Sequence, residues 1–225
     1  MDLGPRDILA LAGWGTLVGL DLVSVPQVLI SRPLIAASIA GWIIGDVEAG
    51  LRLGVVLELF ALEVLPVGAS RYPDFGPPAV AGAALAAHHP WQESLAAATL
   101  FSLVLAVVGG WSMLFLRHAN ARSIQRRSAA LAAGDYEAIR TLQRLGLVRD
   151  ALRSLGLTTV GLALADLVSG PIHASPARAT ALGLLALAFG LAAGGGGAVR
   201  SAGRGARLHW LLGGAAAGIL WVWLR

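Results

Sequence analysis

The chain has 225 residues, of which 56% are hydrophobic and only 13% are charged, and its formal net charge is +4. Soluble domains carry about 25% charged residues, so the composition argues against a soluble globular enzyme. The absence of cysteine excludes a disulfide scaffold, a thiolate nucleophile and cysteine-ligated metal centres. With a mean hydropathy of +0.73, the chain is predicted to be an integral membrane protein of several spans.

The first third of the chain contains hydrophobic segments that are short or interrupted. The four segments are residues 7–30, 33–45, 53–67 and 77–87. The first contains Asp21 and Pro26, the third contains Glu58 and Glu63, and the other two are shorter than the roughly 20 residues that a membrane-spanning helix needs. Such segments are typical of broken helices and re-entrant hairpins, which are tolerated only beside protein or a water-filled cavity. We therefore expect a transport site in this third.

The remainder of the chain contains longer hydrophobic segments. Residues 95–116, 179–199 and 208–224 are uncharged over 22, 21 and 17 residues, and a fourth segment runs from Ser154 to about Ile172. Each of these segments is predicted to be a transmembrane helix.

Residues 117–153 contain eight Arg and only three acidic residues. Loops rich in basic residues stay on the cytoplasmic side, and the position of this one beside membrane spans argues against a nucleic-acid partner. Apolar residues recur every three or four positions from Ile139 to Leu152, and Gly134–Asp135 provides a break and an N-cap. The pattern predicts two short amphipathic helices at the cytoplasmic membrane surface. A docking surface for a cytosolic protein is the alternative.

The sequence therefore predicts an all-α polytopic membrane protein with three regions. Residues 1–116 form the N-terminal membrane region, with broken or re-entrant helices and the substrate site. Residues 117–153 form the cytoplasmic amphipathic helices, and residues 154–225 form the C-terminal transmembrane helices.

Acidic residues inside membrane segments are costly unless they are paired or face a polar cavity. Asp21 is followed by Ser24 and Gln27, so a carboxylate, a hydroxyl and an amide lie close to Pro26. Together these groups can present several hydrogen-bonding atoms to one polyhydroxyl ligand. The alternative is that Asp21 caps a broken half-helix and pairs with Arg32.

Two further acidic residues are candidates for the site. Glu58 has apolar neighbours in the sequence, so a partner or a substrate must satisfy its carboxylate. Asp74 is either a ligand contact or the partner of Arg71 in a local turn. Glu63 does not share a helix face with Glu58, and His88–His89 has no companion ligands at useful spacing. We therefore predict no catalytic residue, no metal site and no cofactor.

Between Arg32 and Asp74 the chain carries an ordered set of motifs. They are Arg32-Pro33-Leu34-Ile35-Ala36, Gly41, Gly45-Asp46, Gly50, Gly54, Leu57-Glu58, Leu62, Gly68-Ala69 and Pro73-Asp74. This set resembles the signature of the membrane subunit IIC of mannose/fructose/sorbose-type sugar phosphotransferase systems (PTS). Glu58 and Asp74 match acidic residues of that family, and Asp21 corresponds to an acidic position before the Arg-Pro motif.

The resemblance implies a sugar permease subunit that is not an enzyme by itself. It implies a second membrane subunit, IID, and the phosphocarrier proteins IIB and IIA, with IIB supplying the phosphoryl group. It also implies a trimer of IIC–IID pairs in the lipid of the bacterial cytoplasmic (inner) membrane, which moves the sugar by an elevator-like displacement. Ser31, Glu63 and Pro66 depart from the usual family residues, which leaves open whether mannose is the sugar.

We therefore predict that a hexose-like sugar is bound by Asp21, Ser24, Gln27, Glu58 and Asp74. Aromatic side chains stack on the sugar ring in this prediction, and the candidates are Trp14, Trp42 and Phe60. The alternative function is an ion- or proton-coupled secondary transporter that uses Asp21 and Glu58 as a relay.

Overall fold

The computed structural model describes residues 3–25, 27–62, 64, 71–88, 90–170 and 175–201, together with residues 209, 213, 214 and 216. In this part of the chain the regular secondary structure consists of α-helices joined by turns and irregular segments, and there is no strand. The helices are α1 (Pro5–Asp21), α2 (Pro33–Ile44), α3 (Val47–Ala61), α4 (Gly76–Ala86), α5 (Trp91–Arg126), α6 (Ser128–Ala132), α7 (Tyr136–Val168) and α8 (Pro176–Ser201).

Three of these helices are long and apolar enough to cross a membrane. The qualifying stretches are Glu93–Arg126 in α5, Tyr136–Val168 in α7 and Ala177–Gly196 in α8. They contain most of the predicted spans that begin at residues 95, 154 and 179, so the prediction of a polytopic all-α membrane protein is confirmed. The predicted span at residues 208–224 lies, apart from four of its residues, outside the described part of the chain.

Helices α2 and α3 form a tight hairpin. Gly45 ends α2 with a φ of 92°, a left-handed conformation that Gly adopts without steric cost. The side chain of Asp46 then caps α3 by accepting a hydrogen bond of 2.9 Å from the backbone N–H of Ala49. A side chain at Gly41 or Gly50 would collide with the backbone of the hairpin, so these two residues let the helices approach closely.

Helix α4 lies at the centre of the fold, and all eleven of its residues are buried. At 1.5 Å per residue it is only about 16 Å long, so it cannot cross a hydrocarbon core. Ala and Gly make up more than half of the helix, and α2, α3, α5, α7 and α1 pack around it. The prediction of short broken helices in the N-terminal third is confirmed by this helix and by the α2–α3 hairpin.

The segment 117–153 differs from the prediction. Its first part continues α5 without interruption to Arg126, and its last part is the start of α7. The predicted region boundaries at residues 116 and 153 therefore fall inside α5 and α7. Neither position is itself followed directly by a Pro or a Gly that would end the helix there. The predicted break at Gly134–Asp135 is confirmed: Gly134 has a φ of 74°, and the Asp135 side chain accepts hydrogen bonds from the first turn of α7.

Candidate functional site

A cavity of about 290 Å³ lies between the turn after α1, the start of α2 and the segment that precedes α4. Small-molecule pockets typically start at about 300 Å³, so the cavity has room for one small ligand. Its lining residues are Leu22, Gln27, Leu29, Ser31, Arg32, Pro33, Ala61, Val64, Tyr72, Pro73 and Phe75. All of them belong to the N-terminal third.

The cavity combines a few polar groups with an apolar wall. The polar side chains among the lining residues include the amide of Gln27, the hydroxyl of Ser31 and the guanidinium of Arg32. Tyr72 and Phe75 also bring aromatic rings to the wall. This mixture can hold a ligand that has both hydroxyl groups and a ring surface.

A larger groove of about 660 Å³ runs between α3, α5 and α8, but it differs in chemistry. Its lining is apolar except for Thr99, whose hydroxyl donates a hydrogen bond of 2.7 Å to the carbonyl oxygen of Leu95. The groove therefore has no free polar group that could orient a polyhydroxyl ligand. The smaller cavity is the better candidate for a sugar.

Arg32 is held in the cavity wall by Glu58 of α3. The Arg32 Nε donates a hydrogen bond of 2.7 Å to Glu58 Oε1, and Nη2 donates to the same oxygen. Glu58 Oε2 accepts a hydrogen bond of 3.1 Å from the backbone N–H of Leu34. Glu58 thus fixes the guanidinium and also caps the first turn of α2. The alternative in which Asp21 pairs with Arg32 is not formed.

Asp21 shapes the turn that closes one side of the cavity. Its buried carboxylate accepts hydrogen bonds from the backbone N–H groups of Val28 (2.7 Å) and Ser31 (3.0 Å). Between these two residues Leu29 has a φ of 69°, which is rare for a side chain of this size. The contacts of Asp21 on both sides hold this conformation in place. Both N–H groups belong to the turn and precede the first turn of α2, so Asp21 does not cap a half-helix.

Asp74 anchors the segment on the opposite side of the cavity. Its carboxylate is almost fully buried and accepts a hydrogen bond of 2.8 Å from Arg153 Nη1 of α7. Its backbone N–H also donates to the carbonyl oxygen of Ala106 in α5 at 2.9 Å. Arg71, the expected local partner, instead lies over the ring of Trp111 at 4.9 Å.

Arg153 joins Asp74 to a second buried carboxylate. Its Nε donates a hydrogen bond of 2.8 Å to Asp150, which also accepts a hydrogen bond from the hydroxyl of Ser24. The side chains of Arg153, Asp74 and Asp150 are 8%, 1% and 0% exposed. Arg153 is thus the cation that both buried carboxylates share, so its loss would leave both of them without this partner.

Tyr72 is also fixed from outside the cavity. Its hydroxyl oxygen accepts a hydrogen bond of 2.9 Å from Arg117 Nη2, and the guanidinium lies 5.2 Å from the centre of the ring. Both contacts hold the ring in one orientation. The wall of the cavity is therefore positioned by Glu58, Asp21, Arg153 and Arg117, which lie behind it.

The predicted site residues occupy different layers around the cavity. Gln27 lines it, and its Nε2 donates a hydrogen bond of 2.6 Å to the carbonyl oxygen of Leu22. Asp21, Glu58 and Asp74 lie one layer behind, and Ser24 belongs to the buried cluster. Their role in sugar binding stays a prediction.

Three polar lining residues, Ser31, Arg32 and Tyr72, were not among the predicted site residues. The Arg-Pro motif was a sequence signal for Arg32, whereas nothing in the sequence distinguished Tyr72. The aromatic residues Trp14 and Trp42, predicted to stack on the sugar, are not among the residues that line the cavity. Trp42 is 71% exposed, and the Trp14 Nε1–H donates a hydrogen bond of 2.9 Å to the carbonyl oxygen of Ala36. Among the described residues, no three His, Asp or Glu side chains converge as metal ligands would.

A family profile described as the PTS system sorbose-specific IIC component matches residues 7–195. The sorbose-specific EIIC component of Klebsiella pneumoniae is 28% identical over 181 residues, which cover 78% of this chain and 66% of that protein. The fructose permease IIC component of Bacillus subtilis (strain 168) is 32% identical over 124 residues, which cover 54% and 45%. The chain thus matches less than two thirds of the length of these relatives.

Two solved structures share the fold. A chain described as a membrane protein superposes with a TM-score of 0.74 at 20% identity, covering 96% of this chain and 88% of that one. A chain of the mannose transporter ManYZ in complex with microcin E492 superposes with a TM-score of 0.66 at 21% identity, covering 97% and 88%. The helical arrangement described above is therefore that of known membrane proteins.

Proposed function

Since the chain belongs to the family of sorbose-specific IIC components of the phosphotransferase system, we propose that it binds and translocates a hexose-like sugar. The observation that carries the proposal is the cavity beside α2, which lies within the region matched by the family profile. Its size suits a monosaccharide, and it offers amide, hydroxyl and guanidinium groups to sugar hydroxyls.

In this proposal the residues around the cavity have two kinds of role. Gln27, Ser31 and Arg32 contact the sugar hydroxyls, and Tyr72 offers its ring face to the sugar. Glu58, Asp21 and Asp74 support these contacts, because they fix the backbone or side chains that line the cavity. The acidic residues predicted from the sequence then belong to the site as positioning residues.

The proposed partners are those of a complete phosphotransferase system. A IID subunit would cover part of the lipid-facing surface, and IIB, charged by IIA, would supply the phosphoryl group. The likeness in fold to a chain of the ManYZ complex supports a IIC–IID pair. We propose a trimer of such pairs in the bacterial cytoplasmic membrane, with no phosphorylated residue on this chain.

Uptake of radiolabelled hexoses tests the proposal against ion-coupled transport. In cells that carry the chain with IID, IIB and IIA, we expect phosphorylated sugar to accumulate and to continue accumulating after an uncoupler is added. A matched strain without IIB should accumulate no sugar phosphate. Uptake that collapses with the uncoupler while phosphoenolpyruvate stays high would instead establish an ion- or proton-coupled transporter.

A further inference from the structure

A second cavity, of about 300 Å³, lies between the cytoplasmic ends of α5 and α7 as predicted from the charge pattern. The turn after α1 contributes to both cavities, since Leu22 lines the first and Ser24 lines the second. Its polar lining consists of Ser24, Asn120, Ser123, Gln143 and Arg149, and no carboxylate is among the lining residues. The second cavity therefore combines one cationic and four neutral polar side chains with an apolar wall of Ile124, Leu142, Gly146 and Leu147.

Arg149 enters this cavity with part of its hydrogen-bonding capacity unused. Its Nη1 donates to the carbonyl oxygen of Ala119 (3.2 Å), to Asn120 Oδ1 (3.1 Å) and to Ser123 Oγ (2.9 Å). All three acceptors are neutral. Within the described part of the chain, Nε and Nη2 of Arg149 make no hydrogen bond. The side chain is half-buried, so its charge is less screened than that of the exposed arginines nearby.

The acidic residues of this region are all engaged elsewhere. Asp135 caps the start of α7, Glu137 lies 3.7 Å from Arg140, and Asp150 pairs with Arg153. No described carboxylate therefore neutralises Arg149. A half-buried guanidinium with two unused donor groups and neutral polar neighbours favours an oxyanion as its partner.

We propose that the second cavity binds a phosphate group, held by Arg149 and by the side-chain amides of Asn120 and Gln143. Arginine matches the geometry of phosphate oxygens through paired N–H donors, and the side-chain amides of Asn120 and Gln143 can donate to the remaining oxygens. The hydroxyls of Ser24 and Ser123 already donate to Asp150 and to the carbonyl oxygen of Ala119, so they only line the cavity. The identity of the ligand rests on the proposed function: because the cavity lies beside the proposed sugar site, the phosphate group is that of a sugar phosphate. A phospholipid head group has the same chemistry.

Binding to the purified full chain in a phosphate-free maltoside detergent tests the inference. The probes are inorganic phosphate, a hexose 6-phosphate and the unphosphorylated hexose, each measured by isothermal titration calorimetry. Arg149→Gln should weaken binding of both phosphate-containing probes about tenfold or more, because charge-assisted hydrogen bonds are lost. The matched control is Arg144→Gln, on the same helix but exposed and outside the cavity, which should change the affinity less than twofold.

A second variant covers the case in which Arg149→Gln does not fold. Gln143 is exposed on one side, so Gln143→Glu should be tolerated, and its added carboxylate should repel phosphate. If phosphatidylglycerol competes with the hexose 6-phosphate, the source of the phosphate group is a lipid head group. If phosphatidylglycerol does not compete, the sugar phosphate is favoured.

The inference is overturned if neither phosphate-containing probe binds, or if Arg144→Gln weakens binding as much as Arg149→Gln does. The second result would mean that the general basic charge, and not the cavity, attracts phosphate. Binding of the unphosphorylated hexose is measured in the same experiment and tests the proposed sugar site separately. If it is absent while phosphate binding depends on Arg149, the proposed sugar site fails and the phosphate site stands.

Discussion

Replacing Arg153 by Met is expected to destabilise the protein by about 3–5 kcal/mol, because two buried carboxylates lose their shared cation. Asp74 and Asp150 are 1% and 0% exposed, and both accept hydrogen bonds of 2.8 Å from Arg153. The fraction of purified protein that remains monodisperse after heating measures the effect. Arg144→Met, which removes an exposed Arg from the same helix, is the matched control and should be close to the parent.

A neutral version of the cluster separates lost charge balance from lost packing. In Asp74→Asn/Asp150→Asn/Arg153→Met no charged side chain is left in the cluster, so we expect this triple variant to recover most of the lost stability. Arg153→Met with the stability of Arg144→Met would contradict the assignment of Arg153 as the residue that joins the segment before α4 to α7.

Replacing Glu58 by Gln is expected to reduce sugar uptake at least tenfold while the protein still inserts into the membrane. The charged hydrogen bonds from Arg32 are worth about 1.5–3 kcal/mol, and a Gln cannot serve Arg32 and the backbone N–H of Leu34 equally well. The guanidinium would then leave its position in the cavity wall. Uptake of labelled sugar, normalised to the amount of protein in the membrane fraction, measures the loss.

Glu48→Gln is the matched control for this variant. Glu48 lies on the same helix and pairs with Arg52 four residues later, but its side chain is 70% exposed. An exposed pair of this kind contributes little, so uptake should change less than twofold. Full sugar accumulation by Glu58→Gln in cells with the partner subunits would exclude a role for Glu58 in the site.

The helix types of this protein could be predicted because they depend on local sequence. A run of uncharged residues long enough to cross a membrane predicts α5 and α8, and a short, Pro-preceded run predicts α4. The same local patterns failed at residues 117–153. They detect an amphipathic face but do not show whether a helix starts anew or continues from the preceding span.

The pairing of the buried charges could not be predicted, because it depends on contacts between distant parts of the chain. The sequence offered Arg71 for Asp74, three positions away, whereas the fold brings Arg153 from 79 positions away. Arg32 likewise pairs with Glu58, 26 positions away. The sequence therefore singled out Gln27, which lines the cavity, and the acidic residues behind it, but not the lining residues Ser31, Arg32 and Tyr72.

Photoaffinity labelling with a diazirine-bearing hexose tests the central claim, that the cavity beside α2 is the sugar site. Peptide mass spectrometry of the labelled protein should place adducts within residues 27–33 or 72–75, and an excess of the unlabelled sugar should remove them. The claim would be contradicted if the adducts that the free sugar prevents lay only in another part of the chain, such as the groove between α5 and α8.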